Sequence, residues 1–286
     1  MDTIKPREKN FCSPSVKTKG TCFSSELLAL IARTYNSTHE DKIPIGKSKK
    51  QLYRAIDDKL KNCSTESCWI EQSFIKTSSH YGLLEKSFRP VKPESWQRNE
   101  REWLNTYDIL GVMKQYEDSD KQFKFMGVFP IDFAAKTKSG SCIAQQMCEM
   151  DLKKLWKQKI KKIGMVFNTD KHNESGSHWI SLFIGLNPKG KNFGVFYYDS
   201  VAMKPQKEIQ VFMQKIKKEI AKLHPASAES VQIQINKQRK QFKNTNCGLF
   251  SMLFIIFMMR QTFEFACSNM GNDDDVQEFR DLLYRP

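Results

Sequence analysis

Cys247 stands where a polar loop, residues 240–246, meets an apolar run that begins at Gly248. If that run is a helix, the thiol lies at its N-terminus. Free backbone N–H groups and the positive end of the helix dipole there favour a thiolate, the form that does nucleophilic chemistry. A single cysteine in such a place is more often a packed structural thiol, but two further residues change the balance. His178 closes a polar turn, Asn173-Glu-Ser-Gly-Ser177, and opens an apolar run, while Asp199 closes the next apolar run. In an antiparallel hairpin the start of one strand lies beside the end of its partner, so this spacing alone brings imidazole and carboxylate together. The carboxylate would fix the ring's tautomer and stabilise the imidazolium. Base, orienting acid and thiol form the set that hydrolyses acyl bonds through a thioester. Gln241, six residues before Cys247, offers a side-chain N–H to an oxyanion beside the Cys247 backbone N–H. Gly248 would let backbone or substrate approach closely.

The elements that must hold these residues are legible in outline. Apolar runs over 179–186 and 193–198 are separated by Asn187-Pro-Lys-Gly190, a turn between two strands. Further strands are predicted over 123–129, 163–167 and 230–235, the last from the alternation Val231, Ile233, Ile235. Helices are predicted over about 105–116, over 207–223 with Ile209, Phe212, Met213, Ile216 and Ile220 inward, and over 247–259, where the run is apolar nearly all round and so belongs in the interior. Residues 1–84 read as mostly helical, with one helix opened by Ser24-Ser25-Glu26 and another over about 49–60. Two prolines within Ser87-Phe-Arg-Pro-Val-Lys-Pro93 mark a linker. The expectation is an N-terminal helical domain over 1–92 and a core over 93–286. Strands clustered mid-core, with helices before and after, make the class α+β.

Composition narrows the function. With 286 residues, 40% of them hydrophobic and 20 of them Phe, the chain can bury a proper core and is not disordered. Its longest apolar stretch, 249–259, falls short of the roughly 20 residues of a membrane helix, and Met1-Asp-Thr-Ile-Lys-Pro-Arg-Glu-Lys9 has no apolar leader segment. No membrane association is expected. Eight cysteines are too sparse for a disulfide scaffold and, without a leader, are expected as reduced thiols. Cys12, Cys22, Cys63 and Cys68 could form a zinc site, but their spacings lack the tight knuckles such sites favour; packing thiols and no metal are expected. Cys142, Cys148 and Cys267 have no partner at ligand spacing. There are 46 Lys and Arg against 32 Asp and Glu, a formal charge of +14. This favours polyanionic partners, and a predicted basic helix over 153–162 carrying Trp156 could follow a phosphate backbone. The acids Asp273–Asp275 read as a solvated loop or a helix start.

His178-Trp179, Tyr198-Asp199-Ser200 and Gln241-x5-Cys247-Gly248 together resemble the catalytic core of the SUMO-protease and adenovirus-protease clan. The likeness is greatest to the polyprotein-processing proteases of large nucleocytoplasmic DNA viruses, the African swine fever virus type. The resemblance implies a circularly rearranged papain-like fold, a central mixed sheet flanked by helices, over about residues 100–286. It implies that Trp103, in the Trp-Leu-Asn segment, and Trp179 clamp the small residues of a Gly-Gly substrate. Cys63-Ser-Thr-Glu-Ser-Cys68-Trp resembles the arm domain of the viral group. Asn246 departs from the clan, whose cellular members usually carry Asp before the cysteine. The implied function is a cofactor-free cysteine endopeptidase that processes viral structural polyproteins during virion maturation, located in the virion and at assembly sites in the host cytoplasm, with DNA or another polyanion as a localising or activating partner. The alternatives are a protease that removes SUMO-like or ubiquitin-like modifiers and, without catalysis, a basic DNA-binding core protein.

Overall fold

Local signals set the helices of the first part of the chain. In the computed structural model, which describes residues 11–286, Ser24 accepts the Leu27 N–H and opens α1 (Ser25–Thr38). Ser48 and Gln51 form a capping box that opens α2 (Lys49–Lys59). Short helices α3 (Glu66–Glu71), α4 (Ser73–Lys76) and α5 (Tyr81–Glu85) follow. Their apolar faces close on Phe23, Leu28, Ile31, Ile56, Trp69 and Phe88, all at most 1% exposed. The segment Met1–Lys9 lies outside the described residues. Chain contacts divide the molecule into two compact units: the residues up to Lys92 with Asp281–Pro286, and Pro93–Arg280. The return of the last six residues to the first unit is invisible in a linear reading.

The cysteines correct the sequence reading. Six of the eight are paired, as Cys12–Cys22, Cys63–Cys68 and Cys142–Cys148, with Cα separations of 5.2, 5.4 and 6.5 Å, inside the range a disulfide spans. The four cysteines considered for zinc are therefore cystines. The expectation of reduced thiols rests on composition and on the reading of the first nine residues, and neither says whether a short loop folds two cysteines back on each other. Among the described residues, Cys247 and Cys267 are the free cysteines.

In the second unit, Asn105 and Asp108 form a capping box that opens α6 (Thr106–Ser119). Five strands then make one sheet: β1 (Phe123–Pro130), β2 (Lys162–Asn168), β3 (Trp179–Gly185), β4 (Gly194–Tyr198) and β5 (Gln232–Ile235), in spatial order β1-β2-β3-β4-β5. The β2–β3 and β3–β4 pairs are antiparallel and the outer two pairs are parallel, so the sheet is mixed. Between β1 and β2 lie two short helices, α7 (Gln145–Cys148) and α8 (Leu152–Lys157). The basic helix expected over 153–162 stops at Lys157, because Lys159 takes a left-handed φ of 68° and Lys162 already belongs to β2.

Two long helices cover the sheet. The parallel β4–β5 pair needs a crossover, and α9 (Lys207–Leu223) supplies it, packing Ile209, Phe212, Met213, Ile216 and Ile220 with Met165, Leu182, Val195 and Tyr197. Against the sheet also lies α10 (Cys247–Met258), buried at every position. Its approach is close: a Cβ on Gly164 of β2 would stand 2.6 Å from Ile255 Cγ2, so only glycine fits there. The chain ends with α11 (Phe263–Ser268) and α12 (Asp273–Leu283). Among the described residues no helix is long and apolar enough to cross a membrane.

Candidate active site

The β3–β4 hairpin builds half of the site. Ser181 pairs with Tyr198, which brings the residue just before β3 and the residue just after β4 to the same edge. His178 Nε2–H donates to Asp199 Oδ1 at 2.7 Å. The Asp199 carboxylate, 2% exposed, also accepts the Val201 N–H at 2.9 Å and the Met203 N–H at 3.2 Å, so its direction is fixed. Asn236, directly after β5, grips the Asp199 main chain on both sides. Its Oδ1 accepts the Asp199 N–H at 2.8 Å and its Nδ2 donates to the Asp199 carbonyl at 2.7 Å.

With Nε2 committed to Asp199, the other ring nitrogen of His178 is left for Cys247, whose side chain acts on the ring. Burial works against a charged imidazole here. The hydrogen bonds and charges of Asp199 and Cys247 outweigh it and push the His178 pKa up to about 9. Cys247 is the first residue of α10 and 1% exposed. Asn246 before it does not cap the helix; its Nδ2 instead donates to the Asp273 carbonyl at 3.0 Å. That explains the departure from Asp at this position: a carboxylate there would face a carbonyl oxygen and could donate nothing.

Gln241 is 2% exposed. Its Oε1 accepts the Ser200 hydroxyl at 2.6 Å, and its Nε2 donates one N–H to the Lys243 carbonyl at 2.6 Å, which leaves the second amide hydrogen for an oxyanion. The Lys240 and Gln241 N–H groups both donate to the Ser200 carbonyl. The loop before Cys247 is thus tied to the residue after Asp199.

Trp103 and Trp179 line one cavity of about 510 Å³ together with Leu104, Phe129 and Ile143. Trp179 is 7% exposed and its indole N–H donates to the Leu104 carbonyl at 2.9 Å, whereas Trp103 is 39% exposed. Gly248, next to Cys247, packs against two residues of this cavity: a Cβ there would lie 3.1 Å from Leu104 Cβ and 3.3 Å from Trp179 Cδ1. A larger cleft of about 1070 Å³ runs between α9 and β5. No cysteine, serine or threonine lines it, and it meets the His178–Asp199 pair through Asn236 and through Ala202, whose N–H donates to the Asp199 carbonyl at 2.9 Å.

The residues singled out in the sequence are therefore neighbours in the fold. Sequence reasoning missed Asn236 and Asp273 as supports of the site, and the contacts that Ser200 and Leu104, inside the quoted motifs, make with Gln241 and Trp179. Asn236 could have been suspected as the first polar residue after the β5 alternation. The acidic run beginning at Asp273 gives no sign that this aspartate is buried, at 4% exposure.

Comparison with known proteins bears on this arrangement. The model of the Ulp1 protease family C-terminal catalytic domain matches residues 102–285. A protein of Acanthamoeba polyphaga mimivirus that bears a thiol-protease name is 28% identical over 96% of this chain and 93% of its own length. The cysteine protease of African swine fever virus is 23% identical over 87% of this chain and 93% of its own. The crystal structure of the latter virus's protease shares the fold, with a TM-score of 0.71 at 19% identity, covering 100% of this chain and 98% of that one. A free cysteine heading a buried helix beside a carboxylate-bound histidine is thus found within a match spanning well over half of the sequence, and the chain belongs to the Ulp1 family of cysteine proteases.

Proposed function

We propose that the chain is an endopeptidase that cuts viral structural polyproteins at Gly-Gly-X-like sites during virion maturation, with Cys247 as nucleophile. The observation that carries the reading is the His178–Asp199 hydrogen bond of 2.7 Å with Cys247 on the same ring. His178 takes the Cys247 proton, and the sulfur attacks the scissile carbonyl carbon. Asp199 holds the imidazolium so formed. The carbonyl oxygen becomes an oxyanion, met by the Cys247 backbone N–H and the spare N–H of Gln241. Collapse of this intermediate expels the amine, which receives the proton from His178, and leaves a thioester. A water deprotonated by His178 then hydrolyses the thioester and restores the thiol.

The small-residue preference rests on Trp103, Trp179 and Gly248. Two indoles lining one cavity, with a wall that a Cβ at residue 248 would crowd, favour substrate residues without side chains. That the relatives are proteases of viruses supports a viral protein as the substrate, and the virion and cytoplasmic assembly site are part of the same proposal. The +14 charge supports DNA or another polyanion as a localising partner. Removal of SUMO-like or ubiquitin-like modifiers is the second reading, favoured by the family model itself. The non-enzymatic reading, a basic core protein, lapses with family membership.

Cleavage of a Gly-Gly-X peptide tests the chemistry. Cys247→Ala and His178→Ala should keep the fold, read by circular dichroism, and abolish turnover. A Cys247→Ala protein that still cuts would end the assignment. Parallel incubation with a capsid polyprotein and with SUMO conjugates separates the two substrates.

A further inference from the structure

The loop from Gln241 to Cys247 carries both oxyanion donors and has no helix or strand of its own until Cys247. Phe242, next to Gln241, points outward with 69% exposure, so its own packing does not hold the stretch that follows Gln241. Asp273, the first residue of α12, does. Its Oδ2 accepts two successive backbone amides, the Phe242 N–H at 2.6 Å and the Lys243 N–H at 3.0 Å. Its main-chain carbonyl accepts Asn246 Nδ2–H at 3.0 Å. One buried residue therefore fixes the loop directly after Gln241 and directly before Cys247. The effect reaches the Gln241 side chain itself, because the carbonyl that receives its Nε2–H belongs to Lys243, whose N–H Asp273 holds. The outer ion pair from Lys243 Nζ to Asp274 Oδ1 is 2.6 Å long but exposed on both sides, and such pairs contribute little.

We propose that Asp273 is a positioning residue for the oxyanion site: by gripping the Phe242–Lys243 amides and Asn246 it sets where the Gln241 amide and the Cys247 N–H point. The proposal rests on the roles of Cys247 as nucleophile and Gln241 as oxyanion donor. It differs from a general stabilising role because it concerns oxyanion stabilisation and leaves the His178–Cys247 pair alone.

Asp273→Ala should lower kcat for a Gly-Gly-X peptide by about 10- to 100-fold, somewhat less than the loss of a whole oxyanion donor, with KM nearly unchanged. Alkylation of Cys247 by iodoacetamide generates no oxyanion and should keep its wild-type rate. Affinity for a peptide aldehyde, whose hemithioacetal oxygen occupies the oxyanion site, should fall by the same factor as kcat. Asp273→Asn keeps an acceptor oxygen and should recover most of the activity. An unchanged kcat in Asp273→Ala, alkylation that falls in step with kcat, or an Asn variant no better than Ala would each overturn the proposal. If the Ala variant does not fold, hydrogen exchange on the wild type decides: the Phe242 and Lys243 amides should be protected, and exchange at exposed-loop rates overturns it. Wild-type cleavage and its loss in Cys247→Ala test the underlying reading on their own, so the two fail separately.

Discussion

Replacing Asp199 by Asn tests what holds the proton on His178. The folded ring titrates near 9 against an ordinary 6.5, a difference of about 3 kcal/mol in favour of the imidazolium. Two partners supply it, Asp199 and Cys247. If Asp199 contributes roughly half, mostly through its charge, the neutral amide removes about 1.5 kcal/mol. That lowers the ring's pKa by about one unit, to near 8. The geometry allows the exchange, since an Asn Oδ1 can still accept both the His178 Nε2–H and the Val201 N–H. Its Nδ2 then faces the Met203 N–H, now 3.2 Å from Oδ2, donor against donor, which costs stability on the order of 1 kcal/mol. Because the folded pKa is the higher one, the protonated ring is present below about 9 and is lost above it. Its contribution to stability is likewise complete below 6.5 and gone once the pH passes about 9. The assay is kcat/KM for a Gly-Gly-X peptide across pH 5–10. The wild type should lose activity on the alkaline side with a midpoint near 9. Asp199→Asn should move that midpoint down by about one unit, so that kcat/KM at pH 9 falls by about fivefold against the wild type while little of the proton is lost at neutral pH. An alkaline midpoint that stays where it was, in a folded variant with reduced activity, would refute the claim that the Asp199 charge keeps the proton on His178.

Two further outcomes follow from individual contacts. Gly248→Ala places a Cβ 3.1 Å from Leu104 Cβ and 3.3 Å from Trp179 Cδ1; the crowding should raise KM for Gly-Gly-X peptides several-fold while iodoacetamide still alkylates Cys247 at the wild-type rate, and an unchanged KM would show that this wall does not shape the substrate path. Reduction of Cys12–Cys22 and Cys63–Cys68, which close loops with sequence separations of 10 and 5, should destabilise the first unit by about 2–3 kcal/mol per bridge, read as a lower melting temperature for Cys→Ser variants, and an unchanged melting temperature would mean that the bridges do not constrain the unfolded chain.

How much of this site was legible in the sequence follows from what fixes each contact. The His178–Asp199 pair depends on a hairpin, and a hairpin is a local object: two apolar runs and a turn at Asn187–Gly190 set the register that brings its ends together. The placement of Cys247 depends on the junction of a polar loop with an apolar helix, also local. Asn236 and Asp273 hold the site just as directly, yet their partners lie 37 and 31 residues away along the chain, on main-chain groups that every residue possesses. A side chain that binds another segment's backbone leaves no complementary residue type at the other end, so no pattern announces it. The cystines were missed for a related reason: whether Cys63 and Cys68 meet depends on the path of the five-residue step between them, while composition reports only that few cysteines are present. The basic stretch after Asp151 failed differently. Its lysines suit a helix, but β2 needs Lys162 for the pairing of Lys162–Asn168 with Trp179–Gly185, and sheet pairing overrides a propensity worth only tenths of a kcal/mol per residue. What sequence conveys well in this chain is therefore the reacting groups and the element that presents each one. What it withholds is the set of buried polar residues that hold those elements at working distance, and in this protease those residues bind backbone.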